Sequence, residues 1–447
     1  MCGIVGYVGP EKCSEILIDG LRRLEYRGYD SAGTAIMDGG QTEIVRSEGK
    51  LNNLAKLLDE QKPAGTVGIG HTRWATHGRP SEQNAHPHKY GYVAVVHNGI
   101  IENHADLRAQ LEANGHEFSS ETDTEIVAHL IDDAYKSEKD ALGAVRAALK
   151  QVQGAYAISV LIDGVPDQII AARHDAPLIL GVSDEANYVA SDIPAILSRT
   201  RDMIFLEEKE IAVVRADGVK ICDLDGNPVD RKPQKIMWDA MMAEKGGHKH
   251  FMLKEIHEQP RAVTDTIRDR VSPTAGDAYI DDFDIEMEQL RRVVLVACGT
   301  SYHAALVGKF LIEGLAKIPV EVDLGSEFRY RDPLVGDSDL LVSISQSGET
   351  ADTLAAMREA KRKGARLLSV CNVVGSTIAR ESDGVLYTHA GPEIGVASTK
   401  AFTTQLSALV LLAIHLGRRS GRLPEADAKE LISDLLAIPE QMNEVLD

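Results

Sequence analysis

The chain has 447 residues, of which 44% are hydrophobic and 26% are charged, a balance typical of soluble globular proteins. This length predicts two or three hydrophobic cores rather than one. The 68 acidic and 48 basic side chains give a formal net charge of −20, which argues against nucleic acid and against an anionic membrane surface as partners.

Neither a secretory signal nor a membrane-spanning stretch is predicted, because the start of the chain has no basic region and no apolar run is long enough. The five cysteines are scattered and lack CxxC spacing, which argues against a disulfide framework and against a zinc site. We therefore expect a cytoplasmic protein that needs no metal and no cofactor.

The first half of the chain mixes short apolar runs with amphipathic stretches. Periodicity predicts helices at 54–60, 105–114 and 124–136, and strands at 67–70, 92–97, 155–162 and 168–172. Because the strands cluster in pairs and triplets, we expect packed sheets with outer helices rather than a regular βαβ alternation.

A turn at 225–228 ends this pattern, and a polar stretch that we interpret as a linker with short helices follows. From about Arg291 the order becomes strand, polar turn and helix, with strands predicted at 293–297, 340–344 and 367–370. This alternation predicts a doubly wound parallel sheet. The segment 425–447 predicts an amphipathic helix with nothing after it to pack on, which we interpret as an interrupted architecture.

Cys2 is the first candidate catalytic residue, because removal of Met1 would give it a free α-amino group. That amine, with an ordinary pKa of about 7.7–8.0, can act as general base for a thiol whose ordinary pKa is about 8.5. On its own a cysteine at position 2 is a weak signal.

Five sequence blocks in the first half together resemble the N-terminal-nucleophile (class II) glutamine amidotransferases. They are CGIVG at 2–6, RGYDSAG at 27–33, HTRWATHG at 71–78, HNGIIEN at 97–103 and ETDTE at 121–125. The resemblance implies an αββα sandwich in which Cys2 attacks the glutamine amide. Asn98 and the backbone N–H of Gly99 would then stabilise the oxyanion.

The same resemblance implies the residues that bind glutamine. Arg73 can clamp the α-carboxylate with two hydrogen bonds, and Asp123 occupies the position that binds the α-ammonium group. Trp74, Thr76 and His77 belong to a loop that closes over glutamine and excludes water.

Other polar residues of this half are expected to be structural. His71, His77, His86, His88 and His97 could suggest a metal cluster, but they lack ligand spacing. Cys13 is expected to be a core thiol, and Asp30 and Ser31 to form a turn.

In the second half, hydroxyl residues lie between strand ends and helix starts, at the sheet edge where such folds bind ligands and where helix dipoles favour phosphate. Serine or threonine at a helix start is more often only an N-cap. The blocks ACGTS at 297–301, SEFRY at 326–330, SQSGET at 345–350 and EIGVASTK at 393–400 resemble the sugar isomerase (SIS) domain.

More narrowly, these blocks and HFMLKEIHEQP at 250–260 resemble the glutamine–fructose-6-phosphate aminotransferase family. The resemblance implies that Ser301, Ser345, Gln346, Ser347 and Thr350 hold the phosphate. The sugar would be lined by Thr300, Val396 and Ser398, whereas Cys298 and Lys400 are expected to be structural.

The family resemblance also implies a domain order and a reaction. An amidotransferase domain at 2–218 precedes a linker at 219–285, a first SIS domain at 286–424 and a helix at 425–447 that leads to a second SIS domain absent from this sequence. L-glutamine is hydrolysed through a thioester, and ammonia passes inside the protein to D-fructose 6-phosphate, giving D-glucosamine 6-phosphate. A homodimer through the SIS domains is expected, and this chain is expected to retain mainly glutaminase activity.

Several alternatives remain open from the sequence. A phosphoribosylamine-forming amidotransferase or an asparagine synthetase would need nucleotide or phosphoribosyl-pyrophosphate loops, and neither is present. A stand-alone glutaminase and a non-catalytic sugar-phosphate-binding regulator are the two other interpretations.

Overall fold

A computed structural model describes residues 2–25, 28–74, 78–236, 247–280, 283 and 285–446. The chain divides into two compact units, Met1–Ala243 and Glu244–Asp447. The two units are described in turn.

The first unit is built on two antiparallel sheets. Its strands are β1 Gly3–Val8, β2 Ser31–Asp38, β3 Gln41–Glu48, β4 Val67–Arg73, β5 His88–Tyr90, β6 Val93–Ile101, β7 Gly154–Ile162, β8 Val165–His174, β9 Ile179–Val182, β10 Asn187–Ala190, β11 Asp202–Phe205, β12 Glu210–Arg215, β13 Gly218–Asp223, β14 Pro228–Val229 and β15 Gln234–Lys235. Its helices are α1 Cys13–Arg22, α2 Leu51–Gln61, α3 His104–Ala113, α4 Thr124–Glu138 and α5 Ala141–Leu149. The strand orders are β15-β11-β9-β10-β1-β4-β2-β3 and β14-β13-β12-β8-β7-β6-β5.

The two sheets of the first unit pack face to face. Ile4 and Ile69 from one sheet share a buried core with Val96 and Ala157 from the other. Helix α1 covers the outer face of the first sheet, and α4 and α5 cover the outer face of the second through a separate core. The predicted αββα sandwich is confirmed, because central strands such as β1 bury side chains on both faces.

The second unit contains a parallel sheet with helices on both faces. The strands of the second unit are β16 Val271–Ser272, β17 Asp277–Ala278, β18 Arg292–Ala297, β19 Val320–Leu324, β20 Asp339–Ser345, β21 Arg366–Cys371 and β22 Gly384–Tyr387. Its helices are α6 Phe251–Ile267, α7 Thr300–Ala316, α8 Gly325–Phe328, α9 Ala351–Arg362, α10 Thr377–Glu381, α11 Lys400–Arg419 and α12 Glu425–Leu446.

The parallel sheet has the order β19-β18-β20-β21-β22, with one apolar core on each face. The predicted doubly wound sheet is confirmed. β19 lies on one side of β18 and β20 lies on the other. The direction in which successive strands are added to the sheet therefore reverses between β18 and β20. Ligands of such sheets bind in the crevice at the carboxyl ends of these two strands.

The stretch expected to be a linker holds more regular structure than predicted. Strands β13, β14 and β15 pair with the two sheets of the first unit, beyond the expected domain end at 218. Helix α6 is a single 17-residue helix rather than several short ones, although it contains Pro260.

The terminal helix α12 packs against earlier parts of the second unit. It buries Ile432 and Leu435 in a core shared with Val263 of α6 and Leu411 of α11. The prediction concerned only segments after this helix, whereas the partners that the structure shows precede it in the sequence.

Helix α11 is long and apolar enough to cross a membrane by length and composition alone. No such stretch was predicted from the sequence. In the structure 78% of its most apolar window is buried, which is typical of the core helix of a soluble protein.

Candidate active site

Cys2 lies at the start of β1, beside the end of β4. Gly3 pairs with Thr72, so the backbone at 73–74 runs next to the cysteine. The Cys2 Sγ accepts a hydrogen bond from the Trp74 backbone N–H at 3.2 Å and donates one to the Trp74 carbonyl at 3.5 Å. Gly28 packs against the same backbone, where a Cβ would lie 2.5 Å from the Arg73 carbonyl carbon.

The surroundings of Cys2 favour the protonated thiol. Burial raises the pKa of the Cys2 thiol, and the Trp74 N–H and the Arg73 charge oppose this effect only in part. A thiol that is protonated at neutral pH needs a neighbouring base before it can act as a nucleophile. The α-amino group of Cys2 itself, exposed by removal of Met1, is the base that the sequence suggests; Met1 lies outside the described residues.

The end of β6 brings the Asn98 amide to Cys2. The Asn98 Nδ2 donates to the Cys2 carbonyl oxygen at 3.0 Å, and the Asn98 Oδ1 lies 3.0 Å from Nε2 of His71. Gly99 follows with a φ of +136°, and a Cβ there would lie 2.0 Å from the carbonyl oxygen of Ala155. Only glycine fits this position.

The predicted charged anchors for glutamine are both nearly buried. Arg73 is 4% exposed and donates from Nη2 to the Gly78 carbonyl at 3.2 Å. Asp123 is 6% exposed, precedes α4 and accepts the Ile101 backbone N–H at 2.8 Å.

Of the three residues predicted on the closing loop, the structure describes one. Trp74 is 43% exposed, and its ring lies edge-on to that of Tyr29 with the centroids 5.6 Å apart. Thr76 and His77 lie outside the described residues.

Three of the histidines in this half have their rings close together behind the site, one pair tilted and the other edge-on. The ring centroids of His71 and His86 are 4.2 Å apart, and those of His86 and His88 are 4.8 Å apart. Burial lowers the pKa of His71 and of His88 to about 3, and that of His86 well below its usual value. These three imidazoles are therefore neutral at physiological pH.

One group of side chains among the described residues has possible ligand atoms close enough together to hold a metal ion: His174, Asp175 and Glu208. There Arg173 donates to Glu208 at 2.7 Å and His174 bonds to it at 2.9 Å, so the carboxylate is already used in an ion-pair network. Cys13 is buried, and burial raises the pKa of its thiol to about 12, as expected for a core thiol.

In the second unit, predicted phosphate-binding residues gather in the loop between β20 and α9. The Ser345 Oγ accepts the Gly348 N–H at 3.0 Å and lies 3.0 Å from the Thr350 hydroxyl. The Ser347 Oγ accepts the Glu349 N–H at 3.2 Å. Gln346 is half-buried in the same loop.

Two helix N-termini at this sheet edge receive no side-chain cap from the residues that the structure describes. Helix α7 begins at Thr300, directly after β18, and α9 begins after Thr350, and the N-cap residue of neither helix makes a side-chain hydrogen bond to the helix start. The N-terminus of α11 differs, because the Glu393 carboxylate accepts the N–H groups of Thr399 and Ala401 at 2.8 and 3.0 Å. An anion would therefore be favoured at α7 and α9 rather than at α11.

The remaining predicted sugar-site residues fall into two groups. Thr300 is exposed, whereas Ser301 is buried and its hydroxyl accepts a hydrogen bond from Gln405 at 3.0 Å. Val396 is 70% exposed, and Ser398 donates to Glu393 at 3.1 Å.

The loop that carries Val396 and Ser398 is held by α6. Glu255 is 1% exposed and accepts the backbone N–H groups of Ile394 and Gly395 at 2.6 and 3.0 Å. Nearby, Lys400 is buried and donates to Glu258 at 2.8 Å. The role of Glu255 was not predicted from the sequence, and His71 was expected only as a possible metal ligand. Their partners Ile394 and Asn98 are 139 and 27 residues away. The block HFMLKEIHEQP was the only signal for Glu255.

Parts of both units match models of known domains. Residues 71–198 match the model of a glutamine amidotransferase domain, and residues 286–415 match that of the SIS domain. A glutamine–fructose-6-phosphate aminotransferase [isomerizing] from Symbiobacterium thermophilum is 53% identical over 451 residues, and one from Clostridium tetani is 51% identical over 452 residues. Each alignment covers 100% of this chain and 74% of the relative.

A solved structure, the C-terminal domain of glucosamine-fructose-6-phosphate aminotransferase from Francisella tularensis, is 44% identical with a TM-score of 0.42. It covers 44% of this chain and 55% of that chain. The identity to the Symbiobacterium and Clostridium proteins, which extends over this whole sequence and about three quarters of each relative, decides the assignment. The chain belongs to the glutamine–fructose-6-phosphate aminotransferase (isomerizing) family.

Proposed function

We propose that the chain, once Met1 is removed, hydrolyses L-glutamine at Cys2 and delivers the ammonia to D-fructose 6-phosphate for the synthesis of D-glucosamine 6-phosphate. This is the first step of hexosamine and UDP-N-acetylglucosamine biosynthesis. The observation that carries the proposal is the contact between the Asn98 amide and Cys2, 3.0 Å from Nδ2 to the Cys2 carbonyl oxygen.

In the proposed first step, the Cys2 thiol gives its proton to its own α-amino group. The thiolate then attacks the side-chain carbonyl carbon of glutamine, and a C–S bond forms while the carbonyl oxygen gains the negative charge. Asn98 Nδ2 and the Gly99 N–H donate to this oxyanion, a kind of contact worth about 2.7–4 kcal/mol per donor. The C–N bond breaks, ammonia leaves with the proton from the amine, and water hydrolyses the thioester to glutamate.

Glutamine is proposed to bind through its amino-acid group. The Arg73 guanidinium would pair with the α-carboxylate, and Asp123 with the α-ammonium group. The low exposure of both side chains supports this, since a charge pair gains strength away from water. Trp74, Thr76 and His77 would cover the bound substrate.

The phosphate of the sugar is proposed to bind at the starts of α7 and α9. Ser301, Ser345, Gln346, Ser347 and Thr350 would hold it, and Thr300, Val396 and Ser398 would line the sugar. No side-chain cap on these two helices comes from the described part of the chain, which supports the proposal because a phosphate can use their N-terminal N–H groups. The positive ends of these two helix dipoles can attract a phosphate even though the net charge of the chain is −20.

The acid, base and imine-forming groups of the sugar reaction are not assigned to residues of this sequence, which spans about three quarters of the length of its relatives. We also propose a cytoplasmic homodimer that joins through the SIS domains and binds neither nucleic acid nor membranes. The acidic composition supports this choice of partners, and the five cysteines, none of which forms a disulfide among the described residues, support this location.

Covalent labelling with 6-diazo-5-oxo-L-norleucine, a glutamine analogue that alkylates the nucleophile, tests the first half. We expect mass spectrometry to find one adduct on Cys2 of a chain that lacks Met1, with excess glutamine preventing the adduct. Cys13, a buried thiol, is the internal control. An adduct elsewhere, or retention of Met1 in a chain that still binds fructose 6-phosphate, would favour a non-catalytic regulator.

Calorimetry with fructose 6-phosphate and with fructose tests the second half. The proposal requires that the phosphorylated sugar binds, that fructose does not, and that Ser347→Ala weakens binding. Equal binding of both sugars would contradict the assigned phosphate loop.

A further inference from the structure

We propose that His71 is a positioning residue, which fixes the orientation of the Asn98 side-chain amide so that its N–H groups face Cys2. The inference rests on the proposed function, in which Asn98 stabilises the oxyanion. His71 itself would touch neither glutamine nor the reacting atoms.

His71 links the two sheets of the first unit at the site. It lies in β4 of the eight-stranded sheet, where it pairs with Ile4 and Gly33, and its side chain is 0% exposed. Its Nε2 lies 3.0 Å from the Asn98 Oδ1 and 3.1 Å from the His97 carbonyl oxygen, both in β6 of the seven-stranded sheet. The ring therefore contacts the strand that carries the oxyanion donors.

These two contacts identify the tautomer of His71. Both partners of Nε2 are oxygen acceptors, so Nε2 carries the proton and donates to the two together. The Nδ1 atom is buried and has no hydrogen-bond partner among the described residues, which suits an unprotonated nitrogen better than a second donor. Burial also lowers the pKa of His71 to about 3, so the ring stays neutral.

A fixed N–H on His71 selects one of the two orientations of the Asn98 amide. In the observed orientation Oδ1 accepts from His71 and Nδ2 donates to the Cys2 carbonyl. The reversed amide would place its NH₂ group against the His71 N–H and its oxygen against the Cys2 carbonyl oxygen. Both contacts would be repulsive, so His71 keeps the donor side of Asn98 on the Cys2 side.

The backbone that joins His97 to Asn98 is held from the same cluster of histidines. The His97 N–H donates to Nδ1 of His86 at 3.4 Å, and the His86 ring lies tilted against that of His71 with the centroids 4.2 Å apart. The His97 carbonyl accepts from His71. Asn98 is thus fixed through its side chain and through the peptide before it.

Glutamate release by the Met1-processed chain tests the proposal in four variants. His71→Leu removes the donor, and we expect kcat to fall about 10- to 100-fold with little change in KM, because loss of a whole oxyanion donor costs about 100- to 1,000-fold. His71→Gln keeps an N–H near the Nε2 position and should recover most of kcat. His129→Leu, which removes a fully buried histidine of α4, is the matched control and should change stability but not kcat.

The fourth variant is His71→Leu in an Asn98→Ala background. If His71 acts through Asn98, the second substitution should lower kcat no further. The proposal would be overturned if His71→Leu lowered kcat by the same factor in the Asn98→Ala background as in the wild type. It would also be overturned if the His71→Leu enzyme had the kcat of the wild type. A wild-type chain without Cys2-dependent glutamate release would overturn the proposed function as well.

A measurement on the wild type keeps the proposal testable if His71→Leu does not fold. With ¹⁵N-labelled histidine, NMR should find His71 protonated at Nε2 and bare at Nδ1 between about pH 6 and pH 9. Protonation at Nδ1 would overturn the inference.

Discussion

Gly99 shows how a single residue constrains the glutamine site. Its φ of +136° is a conformation that side chains rarely adopt, and a Cβ would lie 2.0 Å from the Ala155 carbonyl oxygen across the β6–β7 pair. Because neither atom belongs to a flexible side chain, β6 and β7 must separate to accept a methyl group.

We therefore expect Gly99→Ala to lower the free energy of unfolding of the first unit by at least about 1–3 kcal/mol and to abolish most glutamine hydrolysis. Denaturant unfolding and glutamate release measure the two effects. Gly115→Ala is the matched control, since Gly115 also has a positive φ of +90° but no neighbour within 4 Å. Equal losses in the two variants would show that backbone strain, rather than the contact with β7, is responsible.

The sequence predicted part of each site at the scale of residues. Cys2, Asn98 and Gly99 came from sequence blocks, and the structure brings the first two into contact, while their roles stay predictions. The partnership of His71 with Asn98 could not be predicted, because it depends on which residues face each other between two sheets. The same holds for Glu255, whose partners Ile394 and Gly395 are remote in sequence.

At the scale of elements, each predicted strand coincides with an observed one, whereas other strands, such as β2 and β3, and the structure of the connecting region were not predicted. Runs such as β18 and β20 are apolar because both faces of the sheet are covered, which gives a strong local signal. Helix α6 gives a weak signal, since it is polar and contains Pro260, and tertiary packing against α11 and α12 stabilises it. The packing of α12 was not predicted either, because it also depends on contacts between segments that are distant in the sequence.

Two adjacent leucines of α12 test whether this helix is part of the second core. Leu435 is 3% exposed and Leu436 is 46% exposed. We expect Leu435→Ala to lower the free energy of unfolding of the second unit by about 2–5 kcal/mol, as for other buried leucines. Leu436→Ala is the control and should cost much less. Similar costs for both in denaturant unfolding would mean that α12 does not pack as described.

Glu255 of α6 provides a test of how the sugar loop is held. Glu255→Ala leaves the N–H groups of Ile394 and Gly395 without their acceptor, which costs about 1–3 kcal/mol. We expect weaker binding of fructose 6-phosphate by calorimetry, with unchanged glutamine hydrolysis as the internal control. Asp265→Ala, on the same helix but paired with the exposed Arg268, should leave the affinity unchanged. Unchanged affinity in Glu255→Ala would exclude this role for α6.

At the scale of the whole molecule, the buried histidines make stability depend on pH. Burial lowers the pKa of His71 and His88 to about 3, whereas the pKa of histidine in an unfolded chain is about 6.5. Below pH 6.5 the unfolded chain binds protons that the folded chain does not, so the free energy of unfolding falls as the pH decreases towards 3. Above about pH 7.5 both states are neutral and this contribution is constant.

Each such histidine should lower the stability of the first unit by about 1.4 kcal/mol per pH unit within that window. Urea unfolding followed by hydrogen exchange at pH 7.5, 6.0 and 5.0 measures the slope. His88→Gln should reduce the slope, and His303→Gln, a change at an exposed histidine of α7, should not. An unchanged slope in His88→Gln would show that the imidazole is accessible to protons in the folded state.

The measurement that tests the central claim most directly is glutamate release by the Met1-processed chain beside Cys2→Ala, with and without fructose 6-phosphate. We predict glutamate release by the wild type and none by Cys2→Ala, with the variant still folded. Assay of glucosamine 6-phosphate in the same samples shows whether the ammonia reaches the sugar. Glutamate release that survives in Cys2→Ala, or a folded and processed wild-type chain that releases none, would contradict the assignment of Cys2 as the nucleophile.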